Sequence, residues 1–182
     1  MGHVRQGLIH VYTGDGKGKT TAALGLALRA AGHGMRTYFC QFMKGQDYGE
    51  LRAAAMLAEH LTVAQFGQPI FIHISEDGRH TTATAEDIRL AQGGLAAARQ
   101  AMLGGEYDIV ILDEINVALH FKLLAVQDVL SLLDAKPPQV ELVLTGRRVP
   151  PEILARADYV TEMREVEHPY RRGVQARPGI EF

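Results

Sequence analysis

The most constraining feature of this chain is a glycine-rich turn at residues 14–18, which stands between an apolar run and a helix-forming run. β-Branched, aliphatic and aromatic residues alternate through residues 8–12 and favour a buried strand, whereas Thr-Thr-Ala-Ala-Leu at 20–24 has helical composition. Glycines let backbone N–H groups converge on an anion, and the following helix adds the positive end of its dipole. The order of strand, glycine turn and helix therefore predicts a phosphate-binding loop.

Two side chains at the end of this loop indicate a nucleotide triphosphate with Mg²⁺. Lys19 supplies a mobile positive charge, and Thr20 places a hydroxyl where a phosphate-bound Mg²⁺ needs a ligand. A glycine turn that joins a strand to a helix without any ligand is the alternative. On the first interpretation, the nucleotide-binding residues are Thr13, Gly14, Asp15, Gly16, Lys17, Gly18, Lys19, Thr20 and Thr21.

The loop departs from the usual pattern G-x-x-x-x-G-K-[ST] at its first position. That position is Thr13 here, and Gly14 and Gly16 follow it one and three residues later. The dinucleotide pattern G-x-G-x-x-G fails, because counting from Gly14 puts Lys19 at its last glycine. The chain therefore has a modified triphosphate loop and no dinucleotide fingerprint.

Two further predicted strands end in charged residues. The apolar run at 36–43 finishes in Lys44, and the run at 109–112 closes in Asp113 and Glu114. Because a parallel sheet gathers its ligands at the carboxyl ends of its strands, Lys44 is expected beside the phosphate loop. A solvated surface lysine is an equal alternative. Two carboxylates after a buried strand are costly unless a metal or partners hold them, so Asp113 and Glu114 predict the Mg²⁺ site.

Another buried strand is predicted at residues 139–145, and two arginines follow it. A guanidinium at this edge can reach triphosphate oxygens, and spacing alone does not choose between Arg147 and Arg148. Asn116 and His120 follow the acidic pair on a short predicted helix. They either face the same cleft or lie at the surface.

The remaining segments complete an alternation of helices and strands. Helices are predicted at 21–31, 49–60, 126–133 and 151–157, and strands at 61–66 and 158–166. Another helix is predicted from a capping box at 84–87 to Gly104, with an apolar face formed by Ile88, Ala91, Leu95, Ala98 and Met102. Residues 67–83 show no periodicity and are a binding or lid loop, or contain a hidden strand at 70–72. The tail, residues 168–182, has the composition of a loose end.

Composition limits the possible partners. The 182 residues suit one domain covering 1–182, and a net charge of −2 argues against binding nucleic acid through its phosphates. No apolar run approaches the length of a membrane span, and there is no secretory signal pattern. Cys40 is the single cysteine, so no intrachain disulfide forms and a cytoplasmic location is expected.

Five stretches together resemble one family. They are Thr-Gly-Asp-Gly-Lys-Gly-Lys-Thr-Thr-Ala-Ala at 13–23, Phe-Met-Lys-Gly at 42–45, Ile-Leu-Asp-Glu-Ile-Asn at 111–116, Leu-Thr-Gly-Arg at 144–147 and Gly-Val-Gln-Ala-Arg-Pro-Gly-Ile-Glu-Phe at 173–182. In this order and spacing, from about Leu8 to the last residue, they resemble the ATP:corrinoid adenosyltransferases of the phosphate-loop type. The expected fold is a single α/β domain of the RecA-like phosphate-loop NTPase class, with a mostly parallel central sheet flanked by helices.

The resemblance implies transfer of the 5′-deoxyadenosyl group of ATP to the Co(I) of a reduced corrinoid, with release of triphosphate. ATP is expected to lie reversed in the loop, with its γ-phosphate where related proteins hold the α-phosphate. By position, Thr20 and Glu114 are the expected ligands of Mg²⁺ or Mn²⁺, and Asp113 is a ligand or a partner of one. Lys19 stabilises the leaving triphosphate, and Lys44 and Arg147 join the ATP site.

On the corrinoid side, the resemblance implies that apolar and aromatic side chains remove the lower cobalt ligand before reduction of Co(II). Phe71 occupies the matching region, and the chain has no tryptophan there or elsewhere. Phe71 carries the role alone, or Ile72 and His73 alter it. A flavin-dependent electron donor and a homodimer are further implications.

Two other functions share the loop. One is a nucleotide kinase or ATPase, and the other is a RecA-like assembly module that acts on DNA or a partner protein. The near-neutral charge argues against the DNA version.

Overall fold

The computed structural model describes residues 6–46, 48–69, 72 and 82–181. The elements in chain order are β1 (Ile9–Thr13), α1 (Lys19–Ala31), β2 (Thr37–Phe42), α2 (Gly49–Met56), β3 (Leu61–Phe66), α3 (Ala85–Leu103), β4 (Ile109–Asp113), α4 (Ile115–His120), α5 (Val126–Asp134), β5 (Glu141–Thr145), α6 (Pro151–Leu154) and β6 (Tyr159–Glu162), with a 3-10 helix at Pro169–Arg172.

Within these residues the strands form one sheet in the order β3-β2-β4-β5-β1-β6. Every neighbouring pair is parallel. The predicted α/β fold is therefore confirmed, and the expectation of a mostly parallel sheet becomes an entirely parallel one. Strands β2 and β4 are buried along their whole lengths, as expected for central strands covered on both faces.

Alternate residues of the strands point into two hydrophobic layers. On one face, Val110 and Leu112 of β4 pack with α3, α4, α5 and α6. On the other face, Ile109 and Ile111 pack with α1 and α2. Helix α1 buries a stripe of alanines at positions 23, 27 and 30, whose small side chains allow the helix to lie close to the sheet.

Helix α3 begins at the predicted capping box. The Asp87 N–H donates to Thr84 Oγ1 at 3.3 Å, and the Thr84 N–H donates to Asp87 Oδ2 at 2.8 Å. Ala91, Ala98 and Met102 are buried on its predicted apolar face. The prediction was wrong for Ile88 on that face, because this side chain in the first turn of α3 is 38% exposed.

Two helices and one strand end earlier than the sequence predicted. Helix α2 ends at Met56 because the chain turns at 57–60 into β3, where the His60 N–H donates to the Leu57 carbonyl. Among the described strands, β6 pairs with β1 alone, and it ends at Glu162, opposite Thr13, because β1 there becomes the phosphate loop. Helix α6 has four residues and ends at Leu154. Among the described residues, no helix is long and apolar enough to cross a membrane.

Candidate active site

The predicted phosphate loop joins β1 to α1 at the carboxyl edge of the sheet. Gly14 and Gly18 have φ angles of 91° and 116°, a region that L side chains rarely adopt. A Cβ added at Gly14 would also lie 2.4 Å from the Met163 carbonyl oxygen. The Gly16 N–H donates to that same oxygen at 2.6 Å, so the end of β6 fixes one side of the loop.

Lys19 is the first residue of α1, and its side chain folds back over the loop. Its Nζ donates to the carbonyl oxygens of Gly14 at 2.7 Å and Gly16 at 2.8 Å. Burial lowers the pKa of the Lys19 ammonium, and nearby Glu114 opposes this shift. A buried ammonium that rests on neutral carbonyls can exchange them for the oxygens of an anion without new burial of charge.

Asp113, at the end of β4, is the centre of a buried hydrogen-bond network. Its Oδ1 accepts from Thr20 Oγ1 at 2.9 Å and from Thr145 Oγ1 at 2.7 Å. Its Oδ2 accepts from Lys44 Nζ at 2.9 Å and from Gln41 Nε2 at 3.5 Å. The side chain is completely buried. Four donors therefore hold this carboxylate in place, one each from β2, the loop after β2, β5 and the start of α1.

Lys44 links Asp113 to α2. Its Nζ lies 3.7 Å from Glu50 Oε1 and 5.2 Å from the centre of the Tyr48 ring. Burial alone lowers the pKa of Lys44, but the charge and hydrogen bond of Asp113, together with Glu50, outweigh it and raise the pKa. The lysine therefore remains charged at neutral pH. Its side chain is only 15% exposed, so Lys44 is not a solvated surface lysine.

Glu114 follows Asp113 in the left-handed conformation, with φ of 63°, and precedes α4. Its N–H donates to Thr145 Oγ1 at 2.9 Å, which holds this strained position. Burial and the charge of Asp113 raise the pKa of the Glu114 carboxyl, while Lys44 and Lys19 oppose them. A carboxylate that is destabilised in this way gains from a bound cation.

A cavity of about 890 Å³ opens beside these groups. The predicted residues that line it are Gly16, Lys17, Gly18, Lys19, Thr20, Thr21, Lys44, Glu114 and Arg147. Thr13, Gly14, Asp15 and Asp113 do not line it. Asp15 lies at the loop with its Oδ1 3.9 Å from Arg147 Nε, and Thr13 accepts the Met163 N–H at the end of β1. Phe71 and His73 lie outside the described residues.

The structure distinguishes the alternatives that the spacing left open. Arg147 lines this cavity, whereas Arg148 donates to His120 Nε2 at 3.0 Å away from it. Asn116 is buried and donates to the Gly146 carbonyl at 3.2 Å, which fixes the turn that carries both arginines. Neither Asn116 nor His120 lines the cavity of the phosphate loop.

The chain's tail also lines this cavity, which its composition did not predict. Lys17 Nζ donates to the Ile180 carbonyl at 3.2 Å, and His168 and Glu181 lie on the cavity wall. Tyr48, immediately before α2, and Glu50, in α2, also line this cavity. The only sequence signal for the tail was the glycine-punctuated motif at 173–182, because its exposed residues have no periodicity.

The fold and this site define a class of protein. A parallel sheet, a lysine-bearing glycine loop before α1 and an acidic pair after a neighbouring strand are the parts of a RecA-like phosphate-loop protein. The family model of ATP:corrinoid adenosyltransferase BtuR/CobO/CobP matches residues 5–182. The chain belongs to this family.

Curated relatives match nearly the whole chain. The corrinoid adenosyltransferase of Pseudomonas aeruginosa is 34% identical over 179 residues, which cover 97% of this chain and 84% of that protein. The corrinoid adenosyltransferase of a Sinorhizobium species is 36% identical over 180 residues, covering 97% and 81%. The corrinoid adenosyltransferase CobA of Salmonella typhimurium is 35% identical over 178 residues, covering 97% and 86%.

Proposed function

We propose that this protein transfers the 5′-deoxyadenosyl group of ATP to the Co(I) centre of a reduced corrinoid, in the synthesis or salvage of adenosylcobalamin. The observation that carries the proposal is the match of the family model to residues 5–182. The cavity supports it, because the wall of that cavity combines residues of the glycine loop with Lys19 and Glu114 at one edge of the sheet.

The reaction requires little chemistry from the protein. Co(I) supplies the electron pair of the new cobalt–carbon bond, the bond between the 5′ carbon and oxygen breaks, and its electron pair leaves with triphosphate. Cobalt is formally oxidised from Co(I) to Co(III). Because Co(I) is already a strong nucleophile, the protein needs to position the two substrates and stabilise the leaving charge.

Lys19 and the loop N–H groups would stabilise that leaving triphosphate. Lys19 Nζ now rests on two carbonyl oxygens of the loop, at 2.7 and 2.8 Å, and can turn toward phosphate oxygens in the same cavity. Lys17 lines the cavity and can replace its contact with the Ile180 carbonyl by a phosphate. The reversed orientation of ATP fits a loop whose first position is Thr13, and the orientation remains part of the proposal.

The donor set at the loop fits Mg²⁺. The hydroxyl of Thr20 and the carboxylate of Glu114 provide oxygen ligands on the wall of one cavity, and the burial that raises the pKa of Glu114 is consistent with a bound cation. Among the described residues, no group of three or more His, Cys, Asp or Glu side chains could hold a metal alone. Phosphate oxygens and water would complete the coordination, and Mn²⁺ shares the same preference for oxygen.

We assign Asp113 the task of holding Thr20 and Lys44 in place. Both of its oxygens already accept two hydrogen bonds each, so little capacity remains for direct binding of a cation. When Mg²⁺ is bound, it would neutralise charge on the triphosphate. Lys44 and Arg147 line the same cavity and would add positive charge to the site.

The corrinoid side of the proposal rests on the family resemblance. Phe71 is proposed to help remove the lower cobalt ligand, since the chain has no tryptophan to do so. A flavin-dependent protein would supply the electron that reduces Co(II). A single-domain chain, a homodimer and a cytoplasmic location complete the proposal. A kinase or ATPase is not favoured, because the family model and the relatives name a different reaction.

The test is an anaerobic incubation with Mg·ATP and prereduced cob(I)alamin, followed by visible spectroscopy and analysis of the phosphate product. We expect a light-sensitive alkylcobalt spectrum and one triphosphate per corrinoid. An unchanged spectrum with formation of ADP and phosphate would reject adenosyl transfer and favour the kinase or ATPase alternative.

A further inference from the structure

A second cavity, of about 670 Å³, lies on the other side of the sheet from α1 and α2. Residues of α3, α4, the turn at 121–125 and α5 line it, together with Arg148 and Pro150. Within the described part of the chain, the two cavities share no lining residue. The function proposed above therefore leaves it without a role.

The polar side chains around the second cavity are mainly hydrogen-bond donors. Gln92, Lys122 and Arg148 contribute an amide, an ammonium and a guanidinium, and among the described residues Asp128 is the one carboxylate of the lining. Over residues 6–46, 48–69, 72 and 82–181, neither cation forms an ion pair. The described lining thus carries two positive charges and one negative charge, and this net positive charge favours an anionic ligand.

His120 orients the guanidinium of Arg148. Because a guanidinium is always a donor, the 3.0 Å contact makes His120 Nε2 the acceptor and the imidazole neutral. Burial and the charge of Arg148 lower the pKa of His120, in agreement with this assignment. The contact uses one N–H group of Arg148 and leaves the rest of its planar fork for a bidentate partner.

The backbone at both cations is strained. Arg148 and Lys122 have φ angles of 57° and 59°, which non-glycine residues rarely adopt and which cluster at functional sites. The turn before Arg148 is fixed by Gly146, where a Cβ would meet the Asn116 Cβ at 3.0 Å. As a result, Arg147 lines the first cavity and Arg148 lines the second.

One short helix connects the two cavities. Glu114, immediately before α4, lines the first cavity, and His120, the last residue of α4, lines the second. Six helical residues span about 9 Å at the usual rise per residue. This length sets the scale over which a flat ligand, with its reactive centre at the first cavity, would extend charged peripheral groups toward the second cavity.

We propose that the second cavity binds an anionic peripheral group of the corrinoid, either a side-chain carboxylate or the phosphodiester of a nucleotide loop. The proposal rests on the adenosyltransferase function and makes Arg148 and Lys122 determinants of substrate specificity. The fork of Arg148 matches the paired oxygens that carboxylate and phosphodiester share, and Lys122 adds a mobile charge. Neutral amide side chains would gain much less at this site.

The test compares three acceptors in the Arg148→Gln variant. Cobyrinic acid a,c-diamide carries carboxylates, cobalamin carries a phosphodiester, and cobinamide carries neither group. We expect KM to rise roughly tenfold for an acceptor whose anion is recognised, with KM for cobinamide changed less than about twofold. Lys122→Gln should give the same pattern with a smaller rise.

Arg99→Gln is the matched control. Arg99 is an exposed arginine of α3 that donates to the Ser131 carbonyl at 3.4 Å and lines neither cavity. Its loss removes the same net charge, so it should leave KM for all three acceptors unchanged.

The outcomes separate the two anions and the two proposals. A rise in KM for the diamide alone identifies recognition of a carboxylate, and a rise in KM for cobalamin alone identifies recognition of the phosphodiester. Equal changes for all three acceptors, or none, would overturn the anion site, while conversion of cobinamide by the wild type would still support adenosyl transfer. Calorimetric titration of the same corrinoids needs no turnover and must show the same selectivity in dissociation constant, or the anion site is rejected.

Discussion

Replacing Lys44 by methionine removes one charge from the buried ion pair with Asp113 while keeping most of the aliphatic volume. The Nζ–Oδ2 distance is 2.9 Å, and the two side chains are 15% and 0% exposed. Breaking a buried pair from one side costs about 3–5 kcal/mol, because the remaining charge stays buried. Asp113 keeps donors from Thr20, Thr145 and Gln41, so we expect the lower end, about 3 kcal/mol of unfolding free energy.

The assay is urea and thermal unfolding of wild type and Lys44→Met, followed by circular dichroism. For a chain of 182 residues, about 3 kcal/mol corresponds to a fall in Tm of about 6–12 °C. Arg156→Met is the control, because the side chains of its pair with Asp134 are 49% and 55% exposed. An exposed pair contributes less than about 1 kcal/mol. If Lys44→Met loses no more unfolding free energy than Arg156→Met, the buried pair of Lys44 and Asp113 does not stabilise the fold as argued above.

Three further predictions concern the loop, the corrinoid segment and pH. Lys19→Ala should lower kcat by about a hundredfold or more with little change in the fold, since its ammonium would stabilise the leaving triphosphate. Phe71→Ala should harm an assay that starts from Co(II) much more than one supplied with prereduced Co(I). Glu141→Gln should remove a contribution to stability that the wild type itself loses in acid. The measurement is the unfolding free energy of both proteins between about pH 6 and pH 3. Burial alone raises the pKa of Glu141, but hydrogen bonds from His10 and the Leu8 N–H outweigh it and lower the pKa.

The sign of the pH effect follows from the lowered pKa. Glu141 contributes its stability above its unfolded pKa, near 4.5, and loses it as pH falls through the lower folded value. The stability difference between wild type and Glu141→Gln should therefore be constant near neutral pH and shrink in acid; a difference that grows in acid would contradict this.

Each of the other two variants has its own refuting result. Normal turnover by Lys19→Ala would exclude the proposed role of the loop lysine. Equal losses for Phe71→Ala in the Co(II) and Co(I) assays would exclude removal of the lower ligand.

Local patterns in the sequence were sufficient for most elements of the fold. The glycine turn with Lys19 predicted a loop between β1 and α1, and the capping box at Thr84 predicted the start of α3. The apolar run before Asp113 predicted β4 with an acidic end. These predictions succeed because neighbours along the chain determine backbone conformation and the burial of strand faces. Boundaries such as the end of β6 depended instead on where the paired strand β1 ends.

Which side chains meet in the site could be learned only from the tertiary structure. Strand order places β2 and β5 on either side of β4, and this arrangement brings Lys44 and Thr145 onto the two oxygens of Asp113. Adjacent Arg147 and Arg148 have the same chemistry in sequence but line different cavities, because the turn at Gly146 separates them.

The sequence by itself determined the phosphate loop, the acidic pair and the alternation of helices and strands, since each depends on residues close together in the chain. Only the tertiary structure decided that the tail returns to the loop through Lys17 and the Ile180 carbonyl. It also decided which charges pair and which remain open to a ligand. The physical reason is that contacts between distant segments depend on strand order and on the packing of both sheet faces, which no local pattern encodes.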